Sequence, residues 1–169
     1  MRLDELLSKT GKDYFYIMHL SYGEGIHRER LWNYAKDNNV IGLDYPRVVE
    51  KNWIRTREEV RDLLPPIWRK QFDMFCYEMV IGDIVVILEG WLSLLGIAEV
   101  LSSHRYRREL SETEMFFDHI RDVKWLKKYD FGEHPRLPHP VKGFLNTLHR
   151  VERGTDRWRI LSTIDPERI

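Results

Sequence analysis

The stretch Gly82–Ser103, GDIVVILEGWLSLLGIAEVLSS, constrains the fold more than any other part of the chain. A Gly-Asp pair launches five consecutive apolar residues, Ile84 to Leu88. Glu89-Gly90 breaks the run, and a second apolar run from Leu94 to Leu101 follows, interrupted by Gly96. Two short β-prone runs joined by a Gly-containing connection predict a hairpin. Five apolar residues without alternation predict a strand buried on both faces, so each side of its sheet must be covered.

The rest of the chain supplies candidates for that cover. Leu3 to Leu7 reads as a short helical lead-in, and Tyr14–Leu20 (YFYIMHL), rich in aromatics, as a strand. Ser21 to Gly25 is a loop with two glycines. Arg28–Asn38 places Leu31, Trp32 and Ala35 on one helix face, and Val40–Leu43 is a brief strand. From Thr56, a plausible N-cap, to Glu78 the pattern is helical. Pro65-Pro66 divides it in two, because proline interrupts the hydrogen-bond ladder. After the hairpin, Phe116–Leu126 reads as a long strand with Phe117, His119, Arg121, Val123 and Trp125 on one face. A loop holding Pro135, Pro138 and Pro140 leads to a helix over Val141–Val151 and a closing strand over Arg157–Ile164. The sum is a small α/β (α+β) domain around a curved, mostly antiparallel sheet.

Composition narrows the class. With 169 residues, 43% hydrophobic and 12% aromatic, the chain can bury a core without disulfide or metal staples. The single cysteine, Cys76, excludes a disulfide framework and argues against a thiolate zinc site. The charged start lacks the apolar core of a signal peptide, and no apolar run is long enough to cross a bilayer. A cytoplasmic protein with no membrane partner is expected. The Lys+Arg and Asp+Glu counts are both 27, which rules out a basic coat over the whole chain. The charge is nonetheless uneven. Residues 121–153 hold eight basic and four acidic side chains, a local excess of four.

Enzyme signatures are mostly absent. Gly11-Lys12 lacks the other residues of a phosphate loop. Asp83 with Glu89-Gly90-Trp91 has the spacing of a carboxylate–lysine nuclease, with Trp where the lysine belongs. His134 and His139 share a Pro-rich loop with no adjacent acid or thiol to complete a zinc shell. Cys76 sits in an apolar helical stretch, FDMFCYEM, where a buried structural thiol is the ordinary role, although a Cys–His pair stays open. No catalytic residue, cofactor or metal is expected in this domain. Aromatics say more. Tyr22, Tyr45, Trp53 and Trp91 stand beside turn residues and not inside periodic runs, a placement suited to a pocket wall or to capping the sheet's ends.

Together, YFYIMHLSYGEG, LWNYAKDNNVIGLDYP, GDIVVILEG with LLGIAEVLSS, and IRDVKWL resemble the PUA-like superfamily, and within it the YTH and EVE domains. The opening block combined with the hairpin is most similar to the N-terminal DNA-recognition domain of McrB-type, archaeal restriction GTPases. The resemblance implies a PUA-like barrel or sheet flanked by helices, and one modified-base-binding domain over 1–169, at the N-terminal part of a longer chain. It also implies a reader that flips a methylated base into an aromatic cage. Cage walls would come from the return strand (Leu43, Tyr45) and from the segment after the hairpin (Tyr106, Phe116), with polar contacts from the first loop (Ser21, Tyr22). YTH domains carry Trp in the return strand, where this chain has Leu43 or Tyr45. Trp53 and Trp91 join the candidates from their loop positions. Phosphate contacts are expected from Arg105, Arg107 and Arg108 and from Lys124, Lys127 and Lys128.

The functional expectation is recognition of N6-methyladenine in DNA within a modification-dependent restriction system, this domain itself not being an enzyme. A C-terminal AAA+ GTPase region and a nuclease subunit would be its partners. The alternatives are the same fold reading 5-methylcytosine or a methylated RNA base, and a PUA-like enzyme or protein-interaction module.

Overall fold

A different layer covers each side of the strand over Ile84–Glu89, as its unbroken apolar run requires. The computed structural model describes residues 1–20, 25–43, 57–106, 119–141 and 147–165. Its elements are α1 (Leu3–Thr10), β1 (Tyr14–His19), α2 (Gly25–Asn38), β2 (Val40–Leu43), α3 (Arg57–Leu63) and α4 (Pro66–Asp73). A single π-helical turn (Met74–Glu78) follows, then β3 (Ile84–Glu89), β4 (Ser93–Val100), β5 (Arg105–Tyr106), β6 (His119–Lys128), β7 (Leu148–Glu152) and α5 (Asp156–Ser162).

Seven strands form one curled sheet in the order β2-β6-β4-β3-β1-β7, with β5 also paired to β6. Among the described strands only β1 and β3 run parallel; the other pairs are antiparallel. Two bulges bend it, one between Ile87 and Leu88 in the β3–β4 ladder and one between Ile97 and Ala98 in the β4–β6 ladder. An extra residue locally sharpens the twist and reverses which face the following side chains occupy. The first bulge turns Gly96 toward α2. There a Cβ would stand 2.9 Å from both the Lys127 carbonyl and Trp32 Cη2, so only glycine fits.

Alternation along the strands builds two large cores, beside a smaller cluster of Leu31, Ala35, Val40 and Ile120. Tyr16, Met18, Val85, Ile87, Leu95 and Ala98 meet Trp32, Phe72 and Phe75 from α2, α4 and the π turn. Phe15, Ile17, Ile84, Val86, Leu88 and Ile97 meet Leu3 and Leu7 of α1 and Trp158 and Leu161 of α5. The hairpin is as expected. Gly90, at φ +60, makes the turn between Glu89 and Ser93.

Two expected elements change type. Of the helix expected over Val141–Val151, residues 142–146 lie outside the described residues, and its end belongs to the strand Leu148–Glu152, which pairs antiparallel with the open edge of β1. Arg157–Ile164 is mostly the helix α5, because the Thr155 side chain accepts the Trp158 N–H at 3.2 Å and caps it, and Trp158 and Leu161 then share a buried face. The helical stretch does divide at Pro65-Pro66, with Pro66 opening α4. Thr56 and the start of the strand expected from Phe116 lie outside the described residues.

Candidate functional site

Strand β6 draws two of the sequence-predicted base contacts together. His119 at its start pairs with Leu43 on one side and Tyr106 on the other. Residues directly opposite in antiparallel pairs project from the same face, so Leu43, His119 and Tyr106 form a row across three strands. Leu43 is buried and Tyr106 half-buried. Around His119 the rings of Phe72, His104 and Tyr106 each lie with centroids 5.2 Å away. The His104 ring is nearly parallel to it, and His104 Nε2 and His119 Nδ1 share a hydrogen bond of 2.9 Å. Burial, and then the neighbouring His104, lower the His119 pKa to about 3, so this imidazole is neutral at physiological pH.

Ser21, Tyr22, Tyr45, Trp53 and Phe116, and Arg107 and Arg108, lie outside the described residues. Trp91 is elsewhere. It stands half exposed at the tip of the β3–β4 hairpin, whereas the rim formed by the Leu43–His119–Tyr106 row lies past the other end of β4, where Val100 pairs with Val123.

Beside the rim, Met18, Leu20, Trp32, Ala35, Ile41, Gly42, Ile87 and Trp125 line an apolar recess of about 20 Å³, room for roughly one water. Trp32 and Trp125 meet edge to face at 5.1 Å. Trp32 Nε1 donates to the Tyr129 carbonyl at 2.8 Å, whereas Trp125 Nε1 is buried without an acceptor.

The candidate phosphate contacts do not form one cluster. Lys124 and Lys128 line an open groove of about 490 Å³ with Asn38, Asn39 and Asp122. Arg105 forms an ion pair with Asp122 at its edge. Lys127 lies over the Tyr129 ring at 5.1 Å. Arg121, part of the basic excess in the sequence, is 3% exposed and unavailable to a phosphate. Its guanidinium donates to the carbonyls of Phe75 (2.7 Å), Ser102 (2.9 Å) and Cys76 (3.4 Å).

The motifs set aside in the sequence have structural roles. Lys12, just after α1, pairs with Asp83, which is fully buried and also accepts from Tyr14 Oη (3.0 Å) and the Val80 N–H (2.8 Å). His134 does have an acid beside it, Glu89 at 2.8 Å, brought from the hairpin. Cys76, His104 and His119 also meet, although their spacing matches no ligand motif and only a Cys–His pair was left open.

No curated protein matches the chain. Among solved structures it is similar to the YTH domain of Mmi1 in complex with RNA, with a TM-score of 0.38 and 13% identity over 69% of this chain and 54% of that one. The chain thus spans about half the length of that solved chain. Residues 18–151 match the family described as "Domain of unknown function (DUF8426)", and the chain belongs to that family.

Proposed function

We propose that this domain binds nucleic acid and reads a modified base taken out of the duplex at the Leu43–His119–Tyr106 rim. The observation that carries the reading is the convergence itself. Leu43 and Tyr106, from two distant segments of the sequence, flank His119 on one face. N6-methyladenine in DNA is the first candidate ligand. The parent protein would use this domain as the non-catalytic specificity part of a cytoplasmic restriction system, with a GTPase region and a nuclease as partners.

Magnitudes fit such a reader. Extruding a base costs a few kcal/mol, least when pairing is already weakened. Stacking on aromatic rings returns roughly 1–3 kcal/mol per base. Burying one methyl adds only about 0.8 kcal/mol, so one domain should discriminate modestly. An assembly that engages several sites would amplify the preference. Lys124 and Lys128 in their groove would hold the backbone, giving binding that weakens with salt.

The test is fluorescence anisotropy with duplexes carrying N6-methyladenine, 5-methylcytosine or no modification, repeated with Tyr106→Ala. We expect about 10- to 100-fold preference for the methyladenine duplex, about 1.4–2.8 kcal/mol, largely lost in the variant. Equal affinity for all three duplexes would end the reading, and a preference for methylcytosine would move it to the other base.

A further inference from the structure

We propose that Cys76, His104 and His119 form a binding site for a thiolate- and imidazole-seeking d¹⁰ metal ion, Zn²⁺ foremost. One ligand atom from each residue lies within 4.8 Å of the other two, with the two imidazole nitrogens 2.9 Å apart. A tetrahedral zinc ion with bonds of about 2.0–2.3 Å holds its ligand atoms roughly 3.3–3.7 Å apart. The imidazoles need to part by a few tenths of an ångström and the thiol to rotate inward, both within reach of side-chain torsions. Cys76 and His119 are 4% and 3% exposed, and His104 is half-buried. Three protein ligands leave a fourth position, which His104's partial exposure makes accessible to water or a further donor.

Arg121 supports the site as a positioning residue. Its three hydrogen bonds hold Phe75 and Cys76 in the π turn and Ser102, two residues before His104, while Arg121 itself lies two residues after His119. One buried side chain therefore ties together all three segments that carry a ligand. A π turn placing Cys76 there fits the frequent occurrence of such turns at functional sites. Binding replaces the thiol proton, which leaves to solvent, with the metal–sulfur bond. The thiolate offsets one unit of the combined positive charge of ion and guanidinium, so a monovalent Cu⁺ would suit the same ligands. The ion would fasten the π turn to β5 and β6 beneath the rim.

The experiment uses the full chain, reduced and stripped of metal, with no nucleic acid present, so its outcome is independent of base reading. Co²⁺ is titrated as an optical probe, and Zn²⁺ is measured by competition against it; Cu⁺ is titrated separately in the presence of a chelating indicator. Saturation at one equivalent is expected, with a sulfur-to-cobalt charge-transfer band that Cys76→Ser abolishes. His104→Gln should weaken Zn²⁺ by more than the roughly 10- to 100-fold that changes beyond the ligands cost. His134→Gln should leave binding unchanged. If the variants fail to fold, the wild-type titration still decides. Cu⁺ binding alone at one equivalent, dependent on Cys76, supports the site. Absence of stoichiometric binding for all three ions, or cobalt binding without the sulfur band, overturns it.

Discussion

The two faces of the sheet bury their side chains in different company. The face under α1 and α5 joins Phe15, Ile17, Val86, Leu88, Trp158 and Leu161, with His19 at the end of β1. The face under α2, α4 and the π turn also buries Gln71, His119 and Arg121 among its apolar residues. Those three side chains are hydrogen-bonded. Gln71 Oε1 accepts the Thr147 and Leu148 N–H groups at 2.8 and 3.0 Å, and Arg121 serves three carbonyls. A dry face depends on shape alone and tolerates exchange of similar volumes, whereas a face with a buried charge depends on each hydrogen bond in turn. That second face also carries the Leu43–His119–Tyr106 row.

The largest effect should come from Arg121→Met. The methionine fills part of the volume but leaves the carbonyls of Phe75, Cys76 and Ser102 without their donor. A loss of about 3–5 kcal/mol in urea or guanidinium unfolding is expected, as for removing one member of a buried charged network. A loss below about 1 kcal/mol would erase the contrast between the faces.

What the sequence made legible follows the same division. The two-sided apolar run of β3, the Gly90 turn, the Val40–Leu43 strand and the break at Pro65-Pro66 are local signals, and each specifies its element. Arg157–Ile164 misled because apolar and charged residues alternate over its first half. The decisive signal was the cap at Thr155, one turn before the apolar pattern begins. Leu148–Glu152 carries no local signal strong enough to outweigh its neighbours, and its strand form comes from the edge of β1. The burial of Arg121 and the meeting of Cys76, His104 and His119 were illegible for a deeper reason. They depend on β6 running past the end of β4 to reach the π turn, a consequence of topology that no spacing encodes. At the rim, Leu43 and Tyr106 come to flank His119 only through the pairing of β2 and β5 with β6, which no local pattern encodes. Trp91, chosen only for standing in a turn, lies at the far end of the hairpin.

On the dry face a smaller change should be felt at α5. Thr155→Ala removes the side-chain acceptor of the Trp158 N–H at a helix of only two turns. About 1 kcal/mol of stability should go, within the usual range of about 0.5–2 for such caps. Thr155→Asn should restore most of it, since asparagine caps well. If alanine and asparagine are equivalent, α5 is held by Trp158 and Leu161 alone.

The subtlest prediction concerns His19, the polar group on that same face, and vanishes near neutral pH. Its Nδ1 lies 2.9 Å from the Gly90 carbonyl, to which it donates in the neutral form, and its pKa is lowered. Burial is the main cause; the Gly90 hydrogen bond pulls the other way, and the charge of Arg157 adds to the lowering. Below about pH 6.5 the unfolded chain takes up a proton at this position that the folded chain refuses. Stability from this residue is thus fully present above that pH and is lost as the pH falls toward the folded-state value. His19→Gln keeps an amide donor for Gly90 and removes the titration. Measured by urea unfolding from pH 7.5 downward, the wild-type minus variant difference should be flat above about 6.5 and then turn against the wild type on acidification. His119 is present in both chains and cancels. A difference that stays flat to low pH would mean that His19 is protonated within the fold without cost, and that the face beneath α5 is wetter than its apolar lining indicates.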